Sequence, residues 1–321
     1  MKLFNRHVTP THANHAVPNP ARQQGGLARR SPSLRRLTPA LLLAFSLSAQ
    51  TSVSVTELTP NVLVFATNNG NVVASVGPDG AFLVGTPSAD STQQISDFIA
   101  KRTKGTFRYV VIGPQDLAHT QGDAGWVQRG AFVAMHENAL GRLGGHGMGT
   151  TRPLPQHLQD LGVDRPRIAF SEVITFDING DAVHVIHQSA AFSDADSIVH
   201  FHAGNVLYFG DVFPGDGYPE IDPQQGGKLD GIVKILSGWT NDKVQIVPAR
   251  GKVLKGADVK AYCDMITSVR TRIQHLIDDG KTEAEIVATH PTSEFDGRWG
   301  NGRIKPDQFV HEVFTALKPK Q

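Results

Sequence analysis

The sequence predicts an α/β protein in which two β-sheets pack face to face and helices cover their outer sides. Short strand-like runs occur in two groups along the chain, and helical segments close each group. Asn-Gly and Pro-Asp-Gly turns separate the first runs, as is typical of neighbouring strands. The composition, with 40% hydrophobic and 19% charged residues, is that of a globular chain.

The first group of strands extends to residue 135 and contains one helix. Strands are predicted at Val53–Leu58, Val62–Thr67, Asn71–Val76, Ala81–Gly85, Phe107–Ile112 and Gly130–Met135. The run Phe107–Ile112 is mostly apolar, which indicates a buried strand. A helix is predicted at Ser88–Lys104, because Ser88 or Asp90 can cap its first turn.

The second group of strands begins after a segment rich in glycine and proline, Leu143–Pro155, which is expected to be a mobile connection. Strands are predicted at Val173–Ile178, Ala182–His187, Ser197–His202, Asn205–Phe209 and Val244–Val247. Helices are predicted at Leu229–Ser237, Gly256–Asp279, Thr282–Ala288 and Pro306–Leu317.

Residues 1–49 have the organisation of a signal peptide with a long leader. Two arginine pairs precede a short apolar core, and small residues follow it, so cleavage is expected near Ser48 or Ala49. The core is shorter than the roughly 20 residues that span a bilayer. We therefore expect a periplasmic or secreted domain at residues 50–321. A twin-arginine signal, a disordered basic tail on a cytosolic protein and a translation start downstream of Met1 remain alternatives.

Charge and cysteine content exclude several classes of function. The chain has 31 basic and 30 acidic residues, and seven of the basic ones lie in the leader, so the rest carries a net charge of −6. A mildly acidic domain argues against a nucleic-acid partner. A single cysteine, Cys263, excludes an intramolecular disulfide and any site built from several thiolates. No segment of the domain is long and apolar enough for a membrane span.

Several segments of the domain, in their order and spacing, resemble the metallo-β-lactamase-fold hydrolases over residues 53–317. They are Asn69–Val72, Val76–Gly80, Arg108–Val111, His119–Thr120, Met135–Asn138, Ser193–Val199, Phe209–Asp211 and the tail from Pro291 to Val310. The resemblance is to the secreted, lactamase-like or cyclase-like branch. It implies an αββα four-layer sandwich in which loops along one edge hold two zinc ions. It also implies zinc-dependent hydrolysis of amide, ester or thioester-like bonds.

The first loop of zinc ligands in that family, Thr-His-x-His-x-Asp-His, falls on the residues after the strand Phe107–Ile112. Pro114 and Asp116 replace the two first histidines, and Ala118 replaces the aspartate. Only His119 matches. Proline and alanine have no side-chain donor for a metal, so this loop has lost part of its capacity to bind zinc.

The later ligand positions are also changed. The resemblance places Phe192 at a histidine, Arg250 at the histidine of a Gly-His-Gly turn, and Asp211 at the bridging aspartate. Two of seven ligand positions are thus retained. Phe192 is expected to fill space that a metal would need. The guanidinium of Arg250 would repel a divalent cation, and we expect it to pair with Asp211, and with Asp116 if that residue is within reach.

We interpret most other polar residues of the chain as structural. Asp194 and Asp196 are expected to cap turns. His200 and His202 should share one face of a strand and His184 and His187 should point oppositely, all as surface or interface histidines. His136 is expected at a strand end and Cys263 in the core. The Gly-x-Ser-x-Gly, phosphate-binding and His-Glu-x-x-His motifs are absent from the sequence.

The leading hypothesis is an exported protein with a degenerate metal site that binds a small molecule or a protein in the former active-site cleft. It needs no cofactor, and Arg250 would anchor an anionic group. The alternative is a hydrolase with a reduced, mononuclear site at Asp116, His119 and Asp211. Such a site would suit a harder ion than zinc, for example manganese or iron, with zinc or another divalent metal also open. A third hypothesis is a structural subunit that forms a homo-dimer or pairs with an active relative.

Overall fold

In the part of the chain that the structure describes, seven strands form the first sheet, in chain order. The computed structural model describes residues 53–85, 87–113, 120–142 and 167–318. The strands are β1 (Ser54–Glu57), β2 (Val62–Thr67), β3 (Gly70–Gly77), β4 (Gly80–Val84), β5 (Phe107–Val111), β6 (Phe132–His136) and β7 (Arg167–Phe170). Strands β1 to β4 pair antiparallel, and β4 to β7 pair parallel.

Five strands of the described residues form the second sheet, in the order β12-β11-β10-β9-β8. They are β8 (Val173–Ile178), β9 (Asp181–Gln188), β10 (Asp196–Phe201), β11 (Val206–Gly210) and β12 (Gln245–Pro248). All pairs are antiparallel except β11 and β12, which run parallel.

Helices lie outside both sheets. They are α1 (Ala89–Arg102), α2 (Thr120–Gln128), α3 (Glu137–Arg142), α4 (Leu229–Ser237), α5 (Gly256–Asp278), α6 (Glu283–Ala288), α7 (Asp296–Trp299) and α8 (Pro306–Leu317). A 3₁₀ turn, Pro223–Gln225, precedes α4. No helix in these described ranges is long and apolar enough to cross a membrane.

The side chains of β4 show how the layers are held together. Phe82 and Val84 point into the core between the sheets, where residues of the second sheet such as Phe201 pack against them. Ala81 and Leu83 point the other way, into the core under α1 and α2. Because both faces of β4 are buried, its sequence is continuously apolar. A third core packs the second sheet against α4, α5 and α8, which completes the four layers αββα.

The predicted fold class is confirmed, and most predicted elements lie within two residues of their observed bounds. Four observed elements, α2, α3, β7 and α7, were not predicted from the sequence. Two glycines in α2, Gly122 and Gly125, obscure its helical pattern, and the other three elements have only four to six residues. The leader 1–49 and the expected mobile connection Leu143–Pro155 lie outside the described residues.

Candidate functional site

One edge of the sandwich brings together the ends of several strands from both sheets. A cavity of about 30 Å³ lies there, lined by Val84, Val111, Ile112, Gly113, Asp196, Ser197, Val199, Tyr208, Gly210 and Asp211. These residues come from the carboxyl ends of β4, β5 and β11 and from β10. This volume has room for about one or two water molecules.

The loop after β12 is fixed at this edge by Asn71, which is 3% exposed. The backbone N–H of Asn71 donates to Ala249 O at 2.7 Å. Its side-chain Nδ2 donates to Pro248 O and Gly251 O, both at 2.9 Å. Three hydrogen bonds from one residue of β3 thus hold the backbone on both sides of Arg250.

Arg250 makes an ion pair with Asp216, with Nε 3.3 Å from Oδ1, and its side chain is 19% exposed. The expected pairing with Asp211 is therefore wrong. The chain turns at the last residue of β11, Gly210 (φ +52°), and again at Gly215 (φ +84°). These two turns bring Asp216 against the arginine loop. The backbone N–H of Arg250 also donates to Pro214 O at 3.0 Å.

Asp196 is a buried carboxylate that caps the loop before β10. Ser193 donates its backbone N–H to Asp196 Oδ2 at 2.8 Å and its hydroxyl to Oδ1 at 3.3 Å. Burial raises the pKa of Asp196 to about 7, although the hydrogen bonds from Ser193 oppose that rise. The predicted turn-capping role is confirmed, and Asp196 also shares the edge cavity with Asp211.

Asp194, two residues before, has a different environment from Asp196. Its carboxylate pairs with Arg142. Its carbonyl accepts from His187 Nε2 at 2.9 Å and from Asn138 Nδ2 at 3.1 Å. Asp194 therefore orients the loop before β10 through its carbonyl and its ion pair, and the expected turn cap by its carboxylate stays a prediction.

Phe192 is buried, 8% exposed, in the same loop. Its carbonyl accepts the N–H of Asp222 at 2.8 Å. A Cβ on Gly227 would lie 2.1 Å from that carbonyl oxygen, so only glycine fits there. The loop is thus packed tightly on the segment that leads into α4, and the expected filling of the metal space by the phenyl ring stays a prediction.

His136 and His187 form a stacked pair that links β6 of the first sheet to β9 of the second. His136 Nδ1 accepts the N–H of Asn138 at 3.2 Å, so Nε2 carries the proton and donates to Ser171 O at 2.9 Å. Burial, and to a lesser degree His187, lowers the pKa of His136. No local sequence pattern indicates this contact, because the two residues belong to different sheets.

Three other histidines cluster on the outer face of the second sheet. His184 and His200 are directly paired across β9 and β10, and the His200 and His202 rings lie 5.6 Å apart. Burial is the main cause that lowers the pKa of His200. His184 faces this cluster while His187 stacks on His136, as the strand period predicted.

The described side chains at this edge do not fit a two-zinc centre. Phe192 offers no donor, and the guanidinium of Arg250 is a permanent cation. Across the described ranges, no group of three or more His, Cys, Asp or Glu could hold a metal ion. Pro114, Asp116, Ala118 and His119 lie outside the described residues, so the proposed mononuclear site is represented here by Asp211 alone.

Solved structures resemble the chain over most of its length. An inverting sec-alkylsulfatase, Pisa1 from Pseudomonas sp., matches with a TM-score of 0.58 and 15% identity over 83% of this chain and 50% of that one. A double mutant of the same sulfatase matches with a TM-score of 0.60 and 16% identity, over 82% of this chain and 50% of that one. The metallo-β-lactamase from Pontibacter korlensis matches with a TM-score of 0.50 and 13% identity, over 67% of this chain and 99% of that one.

These matches, together with the four layers, show that the protein has the metallo-β-lactamase fold. Within that fold it is similar to the alkylsulfatase, of which it spans about half the length. No family model matches the chain, and no curated protein matches it.

Proposed function

We propose that the protein is an exported binding protein that uses Arg250 to bind an anionic ligand at the edge of the sandwich. It does not carry out two-zinc hydrolysis. The supporting observation is the placement of Arg250, on a loop that Asn71 holds by three hydrogen bonds. A guanidinium on a fixed loop is suited to bind a carboxylate, phosphate or sulfate through two parallel hydrogen bonds.

The ion pair with Asp216 leaves part of the guanidinium for a ligand. Among the described residues, Asp216 is the only hydrogen-bond acceptor for the guanidinium, and it uses Nε. Within the described ranges, the two Nη nitrogens have no such acceptor, and we propose that they donate to the ligand. Asp216 is itself 43% exposed, so an incoming anion can compete with a carboxylate that is well solvated.

A second candidate function is a metal-dependent hydrolase with one ion at Asp116, His119 and Asp211. The observation that favours it is that Asp211 and Asp196 line one cavity at the edge. Two carboxylates in one cavity could support a hard divalent ion such as manganese. Bound metal per chain, measured by mass spectrometry after dialysis against zinc or manganese, separates the candidates. One tightly bound ion that is lost in Asp116→Ala or His119→Ala would overturn the binding-protein proposal.

The anion-binding proposal is tested by titration with methyl sulfate, inorganic sulfate and inorganic phosphate. Sulfate esters are included because a structural neighbour is an alkylsulfatase. We expect saturable binding that Arg250→Gln weakens about tenfold or more, since a charge-assisted pair of hydrogen bonds is lost. Lys252→Ala is the matched control, because Lys252 is exposed on the same loop. Equal binding by wild type and Arg250→Gln would contradict the proposal.

A further inference from the structure

We propose that the protein binds a single-chain anionic amphiphile, of the fatty-acid class, in a groove between the start of α4 and the end of α8. We call it the C-terminal groove. It has a volume of about 710 Å³ and is lined by Ile221, Pro223, Gly226, Gly227, Lys228, Leu229, Asp230, Arg270, Val313, Thr315, Ala316, Leu317 and Lys318. Sites for small molecules have volumes of about 300–1,000 Å³, so this groove can enclose a ligand.

The floor of the C-terminal groove is apolar and rigid. Ile221, Leu229 and Val313 are buried members of the core that packs the helices on the second sheet, and Leu317 is half-buried against them. Because these side chains also support α4, α5 and α8, the floor cannot collapse to fill the space. It therefore presents a lasting apolar surface to an alkyl chain.

The rim of the groove is cationic. Arg270 pairs with Asp230, with Nε 3.0 Å from Oδ1, and this pair is neutral. Lys228 and Lys318 are exposed, and among the described residues neither ammonium has a carboxylate partner. Lys318 instead lies over the ring of Phe314, with Nζ 5.4 Å from its centre. The rim thus carries two uncompensated positive charges beside an apolar floor.

These two properties together select the chemistry of the ligand. A cationic rim favours an anionic headgroup, and an apolar floor favours an alkyl chain that leaves water. The surface is concave, so it fits one chain better than the flat surface of a bilayer. Each buried methylene should raise affinity about fourfold.

The test is calorimetric titration of the full chain with octanoate, decanoate and dodecanoate below their aggregation concentrations. We expect one ligand per chain in the groove, in wild type and in Arg250→Gln alike, with affinity rising about fifteenfold for every two carbons. Dodecyltrimethylammonium has the same chain and a positive headgroup, and it should bind at least about tenfold more weakly than dodecanoate. Vesicles that contain anionic phospholipid should not compete.

Two variants locate the site. Ala316→Trp fills the groove from an exposed position of α8 and should abolish binding. Lys228→Glu/Lys318→Glu should remove the preference for the anionic headgroup, and both positions are exposed, so folding should be unaffected. Lys234→Glu, at an exposed position of α4 that does not line the groove, is the matched control and should bind dodecanoate like wild type.

Four results would overturn the proposal. The first is that no fatty acid binds saturably, and the second is that dodecyltrimethylammonium binds as tightly as dodecanoate. The third is that both groove variants bind dodecanoate with wild-type affinity, and the fourth is that the protein binds anionic vesicles but no fatty acid. A further measurement uses a variant that lacks residues 319–321. If dodecanoate binds only after that deletion, the end of the chain occupies the groove, and the proposal is also overturned. Methyl sulfate binding at Arg250 is measured separately, because that ligand has no alkyl chain for the groove.

Discussion

The imidazole rings of His136 and His187 stack with their centroids 3.7 Å apart and their planes 14° from parallel. Both rings are also hydrogen-bonded to backbone carbonyls, His136 to Ser171 and His187 to Asp194. The contact ties the end of β6 to the end of β9, beside the loop that carries Asp194. It is therefore a junction between the two sheets near the candidate site.

His136 should make a contribution to stability that is lost when the protein is acidified, opposite in sign to the contribution of Asp196. The pKa of His136 is lowered below 6.5 in the folded state, so the unfolded chain binds the proton more tightly. The contribution of this residue is fully present above pH 6.5 and is lost as the pH falls toward the folded pKa. The free energy of unfolding, measured with urea at several pH values between 5 and 7, should depend less on pH in His136→Gln than in wild type. His275→Gln, on α5, is the control. The same pH dependence of the free energy of unfolding in all three proteins would refute the role of His136.

Asp196→Ala should destabilise the fold by about 1–3 kcal/mol, because the buried N–H of Ser193 loses its acceptor. The pKa of Asp196 is raised to about 7, so its stabilising contribution is greatest below pH 3.8 and is lost as the pH rises through 7. Wild type should thus lose more stability than Asp196→Ala between pH 5 and 8. Thermal unfolding of both proteins across that range measures the difference. An unchanged melting temperature in the variant would contradict the capping role.

Asn71→Ala should weaken anion binding through Arg250 although it removes no ligand contact. The variant loses both side-chain hydrogen bonds to the loop after β12, which costs about 1–3 kcal/mol when the carbonyls stay buried. Methyl sulfate affinity and urea stability should both decrease. Asn69→Ala removes an exposed side chain from the turn just before β3 and should change neither the methyl sulfate affinity nor the urea stability. If Asn71→Ala lost stability but kept its affinity, the loop would not be the binding element.

Export should remove the leader. We expect the mature protein to begin near residue 50, since small residues follow the short apolar core there. The N-terminal sequence and intact mass of protein recovered from the periplasm or medium provide the measurement. A protein that stays in the cytosol with an intact N-terminus would support the basic-tail alternative.

The fold could be predicted from sequence because its buried strands are strongly apolar. β4 and β3 have side chains in two cores, and few other structures accommodate such runs. The candidate site was harder. The resemblance placed Arg250 at the edge, but its partner depends on how the chain turns between β11 and Asp216, and no local pattern encodes that turn. The stacking of His136 on His187 likewise depends on how the two sheets pack.

The hydrogen bonds from Asn71 have a consequence for redesign of this edge. They hold the backbone around Arg250 through the main-chain oxygens of residues 248, 249 and 251, so they can form whatever side chain stands at position 250. Arg250→His and Phe192→His would therefore introduce new imidazole donors on loops that are already in place. The molecule is in this sense a scaffold on which a metalloenzyme could be rebuilt one donor at a time.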